Sequence, residues 1–320
     1  MRSSKLISIV IPAHNEQENI FVIHSGIRAH LGEYPAEIIF VDDGSRDNTA
    51  GSVRSLQAAD PLVHLLRLSR NFGHQAALLA GIQAAKGAAV ITMDCDLQHP
   101  PELLPQMLEA WESGMPVVQM LRRDTLGATW VKKKTSAMFY RFLQHLSETS
   151  VVPGAADFQL LDRKVVEALV RFKDRQPFLR GLVSWLGFPT HRIEYVAANR
   201  HSGKSSYSAS RMLRLSIDAV TSLSVKPLRL AFFMGTCTAI MALAYAGYAF
   251  VTYCRGIVVP GWTSIVMTVL FLGAVQLLSL GILGEYIARI YSQTRQVPPF
   301  IVVEDTAAGF EDWEKNVVRT

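Results

Sequence analysis

Two carboxylates spaced two residues apart, Asp94 and Asp96, close the apolar run Val90-Ile91-Thr92-Met93, and the side-chain amide of Gln98 follows. At a strand end, residues i and i+2 point the same way, so both carboxylates can converge on one point. Hard oxygen ligands placed like this suit Mg²⁺ or Mn²⁺, with substrate phosphates completing the octahedron. A strand running into a solvated turn also ends in carboxylates, so the spacing alone does not make a site. Two other polar clusters close apolar segments in the same manner: Pro12-Ala13-His14-Asn15-Glu16 and Asp42-Asp43-Gly44-Ser45. A single acid, Asp157, interrupts the apolar stretch Ala155-Ala156-Asp157-Phe158-Gln159-Leu160-Leu161. Burying an acid alone is costly, so Asp157 is expected to be paired, exposed or functional. Basic residues follow: Arg122 and Arg123, then Lys132-Lys133-Lys134, then the loop Arg200-His201-Ser202-Gly203-Lys204-Ser205-Ser206-Tyr207. These either form a solvated face or neutralise a diphosphate. The loop lacks P-loop spacing.

The elements that would position these groups alternate. Leu6–Ile11, Glu37–Val41, Val63–Leu68 and Ala88–Met93 read as buried, β-branched-rich strands. Helical patterns lie between them, running to about His30, after a cap at Ser45 or Asp47, and from Asn71 to Ala85. Pro101–Ser113 is a further amphipathic helix and Pro116–Leu121 a further strand. Strand–helix alternation with short connections predicts an α/β fold with a parallel, doubly wound sheet. Such sheets bind ligands beyond the carboxyl ends of their strands, where all three polar clusters would fall.

The composition changes past residue 209. The chain has 320 residues, 49% of them hydrophobic, and a mean hydropathy of +0.20. No charged residue occurs from Leu230 through Cys254, nor from Gly256 through Gly284. Each run exceeds the roughly 20 apolar residues needed to cross a bilayer. Ser210–Val225, carrying Arg211 and Arg214, reads as an amphipathic helix at a membrane interface. The expected organisation is a catalytic domain over 1–208, an interface helix over 209–228, spans over 229–254 and 262–284, and a tail over 285–320. Basic residues flank the pair of spans, and the connector holds only Arg255, so the positive-inside rule places both flanks in the cytoplasm. The N-terminal apolar run is too short for a signal peptide, which agrees. A net charge of +5 and a pI near 9.1 suit an anionic partner. The charge is scattered and two spans are present, which disfavours nucleic acid. Cys95, Cys237 and Cys254 have neither disulfide-framework nor zinc spacing.

With these residues assembled, the chain resembles a family 2 glycosyltransferase of the GT-A fold and polyprenyl-phosphate type, most like bacterial bactoprenol (undecaprenyl-phosphate) glucosyltransferases and related to dolichyl-phosphate mannose synthase. The resemblance runs from Ser8 to about Pro299. It is carried by Val10–Glu16, Val41–Ser45, Ser69-Arg70-Asn71-Phe72-Gly73, Asp94–Gln98, Ala156–Leu160, the Arg200–Tyr207 loop and Leu280–Ile287. It implies a nucleotide-sugar donor such as UDP-glucose, a polyprenyl phosphate acceptor, Mg²⁺ or Mn²⁺, and a bacterial inner membrane location with the catalytic domain cytoplasmic. It also suggests a homo-oligomer, with a tetramer as one form. By this likeness Pro12, Ala13, Glu16 and Asp43 contact the nucleoside, while Asp94, Asp96 and Gln98 hold the metal and the donor diphosphate. Arg122, Lys133, Arg200 and Ser205 lie along the phosphates, Arg211 and Arg214 meet the acceptor at the membrane, and Asp157 stands near the acceptor. Two positions depart from the family pattern: Gln159 replaces a usual Arg, and Ser206 a common Lys. The second departure removes a phosphate contact that Lys204 would replace. The middle residue, Cys95, is given no role.

The implied reaction is attack by a lipid phosphate oxygen on the anomeric carbon, with inversion. A phosphate monoester with a second pKa of about 6 is already largely ionised, so a strong base is less needed than for an alcohol. Asp157 would orient that phosphate or take its residual proton. A processive polysaccharide synthase would need more spans and a Gln-x-x-Arg-Trp element, neither of which is found. Another nucleotide sugar (UDP-N-acetylglucosamine, aminoarabinose or mannose) stays open, as does a non-catalytic membrane scaffold on a transferase fold. Asp96→Ala separates enzyme from scaffold.

Overall fold

The first strand, Ile7–Ala13 (β1), is buried along its whole length, as its run of β-branched residues requires. It pairs in parallel with Ala36–Asp42 (β2) and with Ala89–Thr92 (β4), and β2 pairs in parallel with Val63–Leu68 (β3). The computed structural model describes residues 5–123, 155–172, 179–196, 225–255, 261–295 and 297–306. Lys133, Arg200, Ser205, Arg211 and Arg214, the Arg200–Tyr207 loop and the expected interface helix lie outside the described residues.

Helices Ile20–His30 (α1), Thr49–Ala59 (α2) and His74–Ala84 (α3) connect these strands. Helix α3 packs on β1 and β2, and glycine makes that contact possible. A Cβ at Gly81 would stand 2.2 Å from Val10 Cγ1. Helix Leu104–Glu112 (α4) and strand Val117–Arg123 (β5) follow.

Within this mostly parallel sheet Ala155–Asp162 (β6) lies between β4 and β5 and runs antiparallel to both. Helices Arg163–Val170 (α5) and Leu179–Trp185 (α6) follow it, and Thr190–Val196 (β7) then pairs in parallel with β5. The antiparallel turn of β6 matters for the site. Thr92 sits opposite Gln159, so two residues further along lie Asp94 leaving β4 and Asp157 entering β6. One apolar segment interrupted by an acid thus delivers that acid to the edge where the paired carboxylates stand.

The stretch read as a tail also joins the sheet. Val302–Asp305 (β8) pairs antiparallel with β3, giving the strand order β7-β5-β6-β4-β1-β2-β3-β8. Ser69 N–H donates to Ile301 O at 2.9 Å, and Leu65 N–H donates to Thr306 Oγ1 at 2.8 Å. Phe300 is buried. The Arg54 guanidinium grips both Glu304 oxygens at 3.0 and 2.6 Å.

Among the described residues, 225–255 and 261–295 belong to a second unit. It consists of two helices, Lys226–Cys254 (α7) and Trp262–Thr294 (α8), packed on each other. The second helix continues past the expected end at 284. Within them, Ala231–Thr252 and Met267–Thr294 have mean hydropathy 1.4 and 2.0, long and apolar enough to cross a membrane. Phe232, Leu243 and Leu277 are each more than 70% exposed. A helix from a soluble core would bury such residues.

Candidate active site

The paired carboxylates leave β4 on a tight turn. Cys95 points inward and is buried, which pushes its thiol up, while Asp94 and Asp96 on either side are partly exposed. Leu97 adopts a left-handed backbone, φ 61°. Gln98 N–H donates to Asp96 Oδ1 at 3.2 Å, which closes the turn. Asp94 N–H donates to His99 Nδ1 at 2.8 Å. That bond makes Nδ1 an acceptor, so the neutral ring carries its proton on Nε2, which faces Asp94 Oδ2 at 3.6 Å. Burial pushes the His99 imidazole down, against the pull of Asp94 and Asp96. The ring stacks on Phe158 at 4.9 Å and meets Tyr195 edge-on. Burial pushes the Tyr195 phenol up to about 12.

Asp94 Oδ1 is buried without a hydrogen-bond partner. An orphaned carboxylate oxygen beside a second carboxylate fits a hard divalent cation. Among the described residues no cluster of three or more ligating side chains occurs. A Mg²⁺ or Mn²⁺ ion here would therefore take further ligands from phosphate and water. The Gln98 side chain meets an arginine: its Oε1 accepts from Arg122 Nη1 at 2.9 Å. Gln98 thereby aims Arg122 beside the carboxylates.

The residues expected around the nucleoside build a second wall. Pro12 and Ala13 are the buried end of β1. Glu16 N–H donates to Thr49 Oγ1 at 3.0 Å, and its carboxylate accepts from Asn19 Nδ2 at 2.5 Å. Asp43 is 3% exposed; its two oxygens accept from Phe72 N–H at 2.7 Å and Gly73 N–H at 2.9 Å. Gly73 has φ +98°, and Gly44, with φ +64°, lies so close that a Cβ would fall 2.4 Å from Arg70 C. The segments Val41–Ser45 and Ser69–Gly73 are therefore interlocked, with Asp43 holding the loop that starts α3.

That loop delivers His74 and Gln75 to Asp157. Gln75 Nε2 donates to Asp157 Oδ2 at 3.1 Å, and His74 Nε2 lies 3.2 Å from the same oxygen and 3.5 Å from Asp94 Oδ1. Arg180, on α6, closes the cluster through Nε to Oδ1 and Nη2 to Oδ2, both at 2.6 Å. Burial alone would push the Asp157 carboxyl up, but the Arg180 charge and the bonds from His74 and Arg180 hold it well below the usual carboxylate range. Burial would likewise push the His74 imidazole down; its bond to Asp157 and the charges of Asp94 and Asp157 hold it above its ordinary value.

The structure thus brings together Asp94, Asp96, Gln98, Arg122 and Asp157. The sequence reading did not single out His74, Gln75, His99 or Arg180. His74 and Gln75 follow the Asn71-Phe72-Gly73 segment and His99 follows Gln98, a positional signal. Arg180 carried none, since it lies 23 residues beyond its partner.

An α/β sheet whose carboxyl edge gathers paired, partly exposed carboxylates, an oriented arginine and a buried carboxylate held by a guanidinium has the chemistry to hold a divalent cation and an anionic group. The chain is a glycosyltransferase and belongs to glycosyl transferase family 2: residues 8–170 match that family, and residues 226–290 match the GtrB C-terminal hairpin. It is 40% identical over 318 residues to the putative glycosyltransferase CsbB of Bacillus subtilis, covering 98% of this chain and 96% of that one. It is 38% identical over 299 residues to the bactoprenol glucosyl transferase of Shigella phage SfV, covering 92% and 97%. Among solved structures, glucosyl-3-phosphoglycerate synthase from Mycobacterium tuberculosis, in complex with Mn²⁺ and UDP, superposes with TM-score 0.48 at 18% identity over 68% of this chain and 78% of that one. The mannosyltransferase PcManGT from Pyrobaculum calidifontis gives 0.48 at 16% identity over 89% and 88%.

Proposed function

We propose that this glycosyltransferase moves glucose from UDP-glucose onto undecaprenyl phosphate at the cytoplasmic face of a bacterial membrane, with inversion at the anomeric carbon. The observation that carries the reading is the pair Asp94 and Asp96, with a buried carboxylate oxygen that accepts no hydrogen bond, in a chain that also holds two bilayer-length apolar helices. Relatives named for bactoprenol glucosyl transfer, 36–38% identical over most of the chain, support the acceptor and the sugar.

Asp94 and Asp96 hold the divalent ion, which when bound neutralises charge on the donor diphosphate. Arg122, aimed by Gln98, adds a second positive group beside it. Asp43 and Gly44 keep the Ser69–Gly73 loop closed against the nucleoside side of the site. Asp157 orients its neighbours: with both oxygens occupied and its carboxyl held ionised, it is a poor proton acceptor. A largely ionised phosphate acceptor needs no stronger base. Strand β8 supports the membrane topology. It pairs with β3 after the helix pair, which supports the reading that the chain before and after the hairpin shares one side of the bilayer.

Membranes carrying the protein, given undecaprenyl phosphate, Mg²⁺ or Mn²⁺ and a panel of labelled nucleotide sugars, test this directly. Metal-dependent transfer of glucose into extractable lipid, lost in Asp96→Ala, is the expected result. Transfer from another donor reassigns the sugar. No transfer from any donor by inserted protein overturns the reading, and retained anomeric configuration overturns the in-line displacement.

A further inference from the structure

The surroundings of Asp157 make it an anchor. It is 3% exposed, and its oxygens are met by Arg180, Gln75 and His74, groups from two different helices. A carboxylate saturated in this way holds its donors in place. The most firmly held is Arg180. Its Nε and Nη2 form a bidentate pair with Asp157, which turns the Nη1 side of the planar guanidinium away from that carboxylate. Leu179 N–H donates to Gln75 Oε1 at 3.2 Å, tying the start of α6 to α3. The Arg180 side chain is 37% exposed while its partner is 4% exposed, so a buried carboxylate fixes a cation that reaches the surface.

Charge balance says what this cation would serve. Asp94, Asp96 and Asp157 gather on one edge of the sheet, and a phosphate monoester brings a further charge of about −1.5 to −2. Arg122 is tied to Gln98, whereas Arg180 is tied to Asp157 itself. An acceptor phosphate arriving on the Asp157 side meets carboxylates unless a cation is already fixed there. A guanidinium is the group that matches phosphate oxygens in a planar, two-point contact.

We propose that Arg180 seats the phosphate of the lipid acceptor and that Asp157 is the positioning residue that aims it. This inference rests on the polyprenyl-phosphate reading above and names the residue that reads its acceptor. The test measures initial rates in membranes with donor and acceptor varied separately, for wild type, Arg180→Lys, Arg180→Ala and Asp157→Asn, alongside thermal melts and UDP–Mn²⁺ binding. Arg180→Lys keeps the charge and loses the fork. It is expected to raise the acceptor KM about tenfold or more while the donor KM and UDP–Mn²⁺ affinity stay within about twofold. Arg180→Ala is expected to be more severe and to be partly restored by added guanidinium. Asp157→Asn is expected to shift the acceptor KM in the same direction. A rise in donor KM instead, an unchanged acceptor KM in Arg180→Lys, or equal losses on both substrates tracking a lower melting temperature overturns the assignment. Wild type that transfers no sugar to the lipid phosphate overturns the underlying reading, and this inference with it; an active wild type with an indifferent Arg180→Lys overturns the inference alone.

Discussion

Two buried carboxylates stand at opposite ends of the same sheet, and their partners differ in kind. Glu37, at the amino end of β2, is 3% exposed. It accepts from Ser8 Oγ at 2.5 Å and Lys86 N–H at 2.7 Å, and Gly87 N–H closes on Ser8 Oγ at 2.7 Å. Arg163 Nε caps Gly87 O at 2.8 Å, and a Cβ at Gly87 would fall 2.5 Å from Ser8 N. Asp157, at the carboxyl edge, is equally buried, but its partners are the side chains of His74, Gln75 and Arg180, two of them titratable and partly exposed. Burial is the same at both ends, but Asp157 is bonded through both oxygens and Glu37 through Oε1, with His64 Nε2 standing 3.8 Å from Oε2. The hydrogen-bond donors also differ: a backbone amide and a hydroxyl bind Glu37, whereas side chains on two helices bind Asp157, His74 and Arg180 among them partly exposed.

The comparison can be broken by experiment. The largest expected effect belongs to Asp96→Ala, which should lower transfer about 10³-fold with the melting temperature nearly unchanged, measured as labelled lipid per folded protein. A folded, active Asp96→Ala would remove the chemical meaning of the carboxyl edge. Asp157→Asn should follow at about 10²-fold. It carries a pH signature as well. A carboxyl held below its unfolded value stabilises the fold above about pH 4, and that contribution is lost as pH falls toward the folded value. Wild type should therefore lose melting temperature between pH 5 and pH 3 more steeply than Asp157→Asn.

At the amino end the prediction reverses. Glu37→Ala leaves the Ser8 hydroxyl and the Lys86 amide without their acceptor and should cost about 1–3 kcal/mol in chemical denaturation. Its turnover per folded molecule should be unchanged; a folded Glu37→Ala with lost turnover would erase the distinction. The smallest effect is expected at Arg54→Ala. Its pair with Glu304 is exposed and should contribute no more than about 1 kcal/mol, falling with added salt.

Much of the carboxyl edge was legible because it is local. The run Ala89–Thr92 is followed by carboxylates at alternate positions, and although the strand ends before them, the turn keeps Asp94 and Asp96 partly exposed and Cys95 buried, as the spacing suggests. The bilayer-length runs are equally local, since hydropathy and length need no neighbour. Less legible were β6, β7 and β8. An apolar segment with one acid does not announce its direction, and Val302–Asp305 has a strand's pairing without a strand's burial. Asp43 shows the limit from another side. The resemblance implies a nucleoside contact there, and what local pattern does not show is that its carboxylate also holds the Phe72 and Gly73 amides.

The α/β alternation, the carboxylate pair, the apolar helix pair and the resemblance that joins them can all be read without coordinates, because each is written in neighbouring residues. Only the tertiary structure decided that β6 runs antiparallel beside β4, which sets Asp157 level with Asp94 and lets His74, Gln75 and Arg180 meet it. Those partners come from segments 23 to 83 positions away, and distances of that kind are set by strand register and helix packing, which no local pattern records.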